Sequence, residues 1–150
     1  MGREGSGRLG GERLDTLRRV FAVPNRAYAE MISHSYDSYP LEACGLLVGR
    51  GDRLERYVAC TNEAQSARIY AIPAKELLRA ERAAEDDGLE IIGVFHSHTH
   101  SEPYPSPTDV ERAPDPGWHY VIVSLKRDAP ETRSFRIVGG AISEERVAVG

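Results

Sequence analysis

The sequence predicts a mixed α/β fold, a mixed β-sheet flanked by helices within a single domain. Three observations predict it. Short apolar runs of strand length alternate with segments of helical periodicity. Several successive strands are joined by hairpin-type turns, so the sheet is not purely parallel. The chain has 150 residues, 41% hydrophobic and 28% charged, which suits one core.

The elements follow in order. Gly2, Gly5, Gly7, Gly10 and Gly11 crowd the N-terminus. Glycine at that density loses too much backbone entropy to order unaided. Residues 1–18 therefore read as a flexible leader ahead of a domain over residues 19–150. Arg19–Val23 forms a short first strand. Pro24 stands at a helix start, and Ala27, Met31, Ile32 and Ser35 recur at helical spacing, giving a helix over Asn25–Ser38 that Pro40 ends. Ala43–Val48 is a buried strand closed by Gly49. A Gly51–Asp52 turn leads into a second strand, Leu54–Thr61, and the pair resembles a hairpin. Ser66–Ile72 reads as another extended piece. Pro73 opens a helix that runs through Asp87 and stops at Gly88. Glu90–His98 is a strand, Thr99–Pro105 an irregular loop, and Ser106–Ala113 a short helix stopped by Pro114 and Pro116. Strands at Trp118–Leu125 and Thr132–Val138, a Gly139–Gly140 turn and a last strand near Val147 complete the chain. No internal repeat is present.

Composition removes several function classes. Nineteen basic residues against 23 acidic ones leave a formal net charge of −4. That gives no support for a nucleic-acid or anionic-membrane partner, both of which call for a positive patch. Two cysteines, Cys44 and Cys60, cannot frame a disulfide-rich secreted domain and read as free thiols in a reducing, cytoplasmic compartment. No apolar run reaches bilayer-spanning length, and the N-terminus lacks the apolar stretch of a signal peptide.

The chemistry lies in His96-Ser97-His98, followed after seven residues by Ser106 and then by Asp109. Strand residues two apart share a face, with bases about 7 Å apart. Two such imidazoles can converge on one ion at about 2 Å from each nitrogen. A hydrolytic zinc site needs a third ligand and one open position. Asp109 can be that ligand: Ser106-Pro107-Thr108-Asp109 has the pattern of a helix start, with Ser as N-cap and Pro at the first position. With this chain's residue frequencies, such a four-residue spacing arises by chance in roughly one chain in a thousand. The donor set also suits other divalent ions. The attacking water needs a proton acceptor, and Glu42, at the mouth of the strand Ala43–Val48, is the candidate general acid/base. Spacing alone does not bring it to the histidines. Ser106 either caps its helix or donates its hydroxyl to a developing oxyanion, and both roles can coexist. Cys44 reads as a small buried hydrophobe rather than a soft ligand. His34, His100 and His119 read as surface or satisfied core residues. There is no H-E-x-x-H helix, no deaminase-type P-C-x-x-C and no glycine-rich phosphate loop.

At these residues the sequence resembles the JAMM (MPN-plus) zinc metalloprotease family, whose pattern is an upstream glutamate, then H-x-H, seven residues and S-x-x-D. Glu42, His96, His98, Ser106 and Asp109 match it without departure. Glu42-Ala43-Cys44-Gly45-Leu46-Leu47-Val48-Gly49 and Gly93-Val94-Phe95-His96-Ser97-His98-Thr99 are similar to the family's catalytic strands. The resemblance implies a curved mixed, largely antiparallel β-sheet with flanking helices, like that of cytidine deaminases. It implies one zinc ion held by His96, His98 and Asp109 with water in the fourth position, Glu42 as general acid/base and Ser106 as oxyanion partner. Within the family the chain looks most like the actinobacterial sulfur-carrier–cysteine peptidases. They release cysteine from the Gly-Gly tail of a ubiquitin-like sulfur carrier, in cysteine biosynthesis or related sulfur transfer. Broader isopeptidase processing of prokaryotic ubiquitin-like modifiers is the alternative. A non-catalytic MPN scaffold is disfavoured by the intact ligand set.

Overall fold

The computed structural model describes residues 19–150, so the predicted leader lies outside the described residues. Within them the order is β1 (Val20–Val23), α1 (Asn25–Ser38), β2 (Cys44–Arg50), β3 (Arg53–Cys60), α2 (Ala74–Asp86), β4 (Glu90–His98), α3 (Pro107–Glu111), β5 (His119–Ser124), β6 (Glu131–Val138) and β7 (Ala141–Val149). The strands pair in the order β1-β3-β2-β4-β5-β6-β7, and the sheet curves until β7 meets β1. Four ladders are antiparallel: β2–β3, β2–β4, β5–β6 and β6–β7. The ladders β4–β5, β1–β7 and β1–β3 are parallel. The sheet is thus mixed and largely antiparallel, as the resemblance implies. Its closure rests on the four-residue β1, which pairs with β7 along its length and with β3 at Ala22↔Arg53.

The helices form for local reasons and dock through narrow apolar faces. Helix α1 buries Ala27, Met31 and Ser35, one residue every four, and the Ser35 hydroxyl donates to Met31 O at 2.8 Å. Helix α2 presents small Ala80 and Ala84 to the sheet. It ends in a Schellman arrangement: Gly88 N–H donates to Glu85 O (3.0 Å) and Leu89 N–H to Ala84 O (2.8 Å). Gly88 sits at φ +70, which glycine reaches without strain. Alternation along β4, shifted by a bulge at Ile92 where the β2–β4 register slips, splits the core. Ile92 and Phe95 join Phe21, Met31, Leu47 and Tyr57 beneath α1, while Val94 turns to the other face with Tyr120, Ile122 and Phe135. That second face carries His96 and His98. Gly93 lets β4 lie close on β5: a Cβ there would stand 2.2 Å from His119 O.

Three expectations are adjusted. Ser66–Ile72 joins no ladder. Both edges of β2 are taken by β3 and β4, and backbone groups of this segment bond the Asn62 side chain rather than a strand. It packs instead as an irregular loop between β3 and α2. Helix α3 stops at Glu111, short of Ala113, and β7 is a full nine-residue strand. No described helix is long and apolar enough to cross a membrane.

Candidate metal centre

Strand β4 is central, flanked by β2 and β5, and it presents His96 and His98 on one face at 2% and 3% exposure. The loop after β4 returns the start of α3 over that face. There Ser106 and Asp109 form a reciprocal capping box. Asp109 N–H donates to Ser106 Oγ at 3.0 Å, and Ser106 N–H donates to Asp109 Oδ2 at 2.8 Å. The box fixes the Asp109 carboxylate, and its Oδ2 lies 3.1 Å from His96 Nε2 and 3.3 Å from His98 Nε2. The two Nε2 atoms are 3.0 Å apart. These three residues form the potential metal-holding group found among the described residues.

The geometry fits a small cation. A tetrahedron with metal–ligand bonds of about 2.0 Å has edges of about 3.3 Å, close to all three separations. The tautomers agree. His98 Nδ1 lies 2.7 Å from Glu102 O. A carbonyl only accepts, so Nδ1 carries the proton and Nε2 offers a lone pair to the cluster. Two imidazole nitrogens and a carboxylate oxygen converging this tightly cannot all be satisfied by one another's protons; a cation among them satisfies all three.

Burial and charge shift all three residues. Burial drives the His96 imidazole below its usual range. Burial also opposes charge on His98, but the hydrogen bonds to Asp109 and to Glu102 O outweigh it and raise its pKa. Asp109 resists burial in the same manner: contacts with His96 and His98 and the Ser106 N–H hold its carboxyl far below the normal range.

Strand pairing supplies the link that spacing lacks. In the β2–β4 ladder Cys44 stands opposite His96, and Ser97 N–H donates to Ala43 O at 3.0 Å. Glu42 lies two residues before that first pair, near enough to His98 and Asp109 for their charges to act on its carboxyl. Glu42 is 3% exposed, and its Oε1 has no hydrogen-bond partner. Burial pushes its pKa up to about 8, with His98 pulling it down and Asp109 pushing it further up. Ser106 is half-buried. Its oxygen receives the Asp109 N–H, which leaves its own proton free to donate.

The structure also brings in residues the sequence did not single out. Tyr70 stacks on His96, centroids 4.6 Å apart and planes 21° apart. Ser97 Oγ, on the far face of β4, accepts Ala43 N–H at 2.7 Å and braces the strand end beside Glu42. Asn62 holds the loop that carries Tyr70. Only Ser97 had a local signal, its place inside the H-x-H motif. Cys44 shares the site's face, but its thiol donates to Thr61 O (3.4 Å), outside the three-donor group. His34 bonds Tyr57 Oη, His100 leans on Tyr39, and His119 sits in a buried pair with Glu145. None of them enters the cluster.

Fold and cluster together define a JAB-type domain, and comparison with known proteins agrees. The family model described as prokaryotic homologs of the JAB domain matches residues 24–138. The chain belongs to that family. It is 43% identical over 122 residues to the CysO-cysteine peptidase of Mycobacterium tuberculosis, covering 79% of this chain and 84% of that protein. It is 39% identical over 88 residues to a desampylase of Haloferax volcanii, 57% of this chain and 63% of that protein. A solution structure of a Desulfitobacterium hafniense protein superposes with a TM-score of 0.77 at 33% identity, covering 87% of this chain and 92% of the other. The peptidase relatives support a hydrolase.

Proposed function

We propose that the protein is a zinc-dependent peptidase that hydrolyses the peptide bond after the C-terminal Gly-Gly of a ubiquitin-like sulfur-carrier protein and releases cysteine. The observation that carries this reading is the buried Glu42 carboxyl, unpartnered at Oε1, beside three convergent donors. The 43% identity to a CysO-cysteine peptidase supports the substrate class. His96, His98 and Asp109 would hold the ion. Zinc, when bound, polarises a carbonyl and acidifies water.

The chain's residues do the rest. Glu42 takes the proton of the attacking water and delivers it to the leaving amine, so it ends each cycle ionised as it began. The Ser106 hydroxyl donates to the oxygen that gains charge at the scissile carbonyl, a contribution often worth about 3 kcal/mol. The Asp109 N–H keeps the Ser106 oxygen in place. Glu102 O orients His98, and the Tyr70 ring covers His96 from solvent. A Gly-Gly tail has no side chains to keep it out of a narrow groove, which makes glycine at the cleaved bond the natural preference. The unpaired thiols of Cys44 and Cys60 support a cytoplasmic setting.

The test is a zinc-loaded preparation incubated with carriers ending in Gly-Gly-Cys, followed by mass spectrometry. Loss of one cysteine residue is expected; intact carriers throughout would sink the substrate assignment. The desampylase similarity favours a second reading, broader processing of prokaryotic ubiquitin-like modifiers with a conjugated lysine as the leaving group. Relative rates on a linear and an isopeptide-linked adduct of one carrier separate the two.

A further inference from the structure

Five backbone groups beside the site end on one side chain, that of Asn62, in the loop between β3 and α2. Its Nδ2 points at three carbonyls: Ile69 O at 3.0 Å, Glu42 O at 3.1 Å and Ser66 O at 3.4 Å. Its Oδ1 accepts the N–H groups of Ala64 (3.0 Å) and Ala71 (3.1 Å). The loop so organised straps the ends of β2 and β4. Glu42 N–H donates to Ser66 O at 2.8 Å, and Thr99 Oγ1 donates to Ala67 O at 3.2 Å. Further along, the loop carries Tyr70 onto His96. No neighbouring strand pairs with this loop, so the Asn62 amide supplies the partners a ladder supplies elsewhere.

We propose that Asn62 is a positioning residue: it ties the backbone of Glu42 to the loop bearing Tyr70, so that the general base and the ring over His96 are held as one unit. Its kinetic half rests on the peptidase reading; its structural half does not. Asn62 bonds backbone atoms only, and its effect passes through Glu42 and Tyr70. The reach of a general base is narrow, and a misplacement of about 1 Å can cost about 100-fold in rate. Glu42 is bound by the strap at both its N–H and its carbonyl, so freeing the Asn62 amide releases one of two anchors.

A spectroscopic reporter is built in. Trp118 is the only tryptophan of the chain, and it lines with Tyr70 and Ile72 a cavity of about 290 Å³ beside Asp109. The experiment compares zinc-loaded wild type, Asn62→Ala, Asn62→Asp and Leu54→Ala, all below their melting temperatures. Leu54 is buried under α1 on the opposite face, so its truncation lowers stability without touching the strap. The aspartate keeps the Oδ1 acceptor and loses the donors to Glu42, Ser66 and Ile69.

On a Gly-Gly-Cys carrier, both Asn62 variants should lose at least about tenfold in kcat with KM within about threefold, because Glu42 acts in the chemical step. In Asn62→Ala, Trp118 emission should move to longer wavelength as the cavity wall loosens. Leu54→Ala should change neither. A kcat for Asn62→Ala within about twofold of wild type overturns the proposal, as does Leu54→Ala reproducing both effects. If wild type cleaves no carrier, the peptidase reading fails instead. The Trp118 arm still decides the structural half: an unshifted emission overturns the tie, and a shifted one upholds it.

Discussion

Two buried histidine–carboxylate groups sit on the same sheet, and they differ in how their polar atoms are used. At His119 both ring nitrogens and a Glu145 oxygen are closed on one another or on backbone. Nδ1 meets Glu145 Oε2 at 2.6 Å, Nε2 meets Gly51 O at 3.0 Å, and Ser134 Oγ donates to the same Glu145 oxygen at 2.6 Å. Arg136 lies 3.8 Å from the other Glu145 oxygen, and Phe21 stacks on the ring at 3.9 Å. This group joins β5, β6, β7 and the β2–β3 turn to β1, where the sheet closes. At His96 and His98 two ring nitrogens face each other with one carboxylate oxygen between them, while His96 Nδ1 and Glu42 Oε1 are buried without partners. Arg136 Nε, beside the closed group, is also buried without a partner, so what sets the His96–His98 cluster apart is the convergence of three metal-ligating atoms.

Substitutions can break the comparison at either end. His96→Ala should abolish peptidase activity, a loss of at least about 10³-fold, with little change in the melting of the metal-free protein. His119→Ala should do the reverse: activity per folded molecule stays, and stability falls by about 2–4 kcal/mol as Glu145 loses its partner. Denaturant titration beside a carrier-cleavage assay reads both. Next, Glu42→Gln should keep zinc and lower kcat by about 10²–10⁴-fold. Full activity in that variant would remove Glu42 from the role.

Glu42 also sets a pH signature in the metal-free protein. Its folded pKa, about 8, lies above the ordinary carboxyl value of 4.5, so folding favours the protonated form. That stability is complete below pH 4.5 and is lost as pH rises toward 8, by up to about 1.4 kcal/mol per pH unit. Melting temperatures of the metal-free wild type should fall across this window, and Glu42→Gln should flatten the slope. Smallest is Ser106→Ala, expected to cost about 1 kcal/mol of stability as the cap is lost and about 10–100-fold in kcat if the hydroxyl serves the oxyanion. A stability loss with unchanged kcat would leave Ser106 as a cap alone.

Legibility in the sequence followed the range of the interactions. Helices α1 and α2 announce themselves through Pro24, Pro73, Gly88 and periodic apolar residues, because a helix is set by neighbours within four positions. His96, His98, Ser106 and Asp109 are legible for the same reason: strand alternation and one helix cap gather them. Glu42 is not, since its place depends on the register of β2 against β4 across 54 residues, and only the family resemblance anticipated it. The closure through β1 and the Asn62-centred loop were illegible for a related reason. The first depends on β1 meeting β7 across most of the chain, the second on one side chain gathering the backbone of Ser66–Ile72, whose apolar residues pack against the site without forming a strand.

If the open cluster takes an ion and the closed one does not, zinc content follows His96 and not His119. Elemental analysis of zinc-loaded, dialysed wild type, His96→Ala and His119→Ala tests it most directly. One zinc per chain, none, and one are expected in that order. Wild type without zinc, or His119→Ala losing it while still folded, would contradict it.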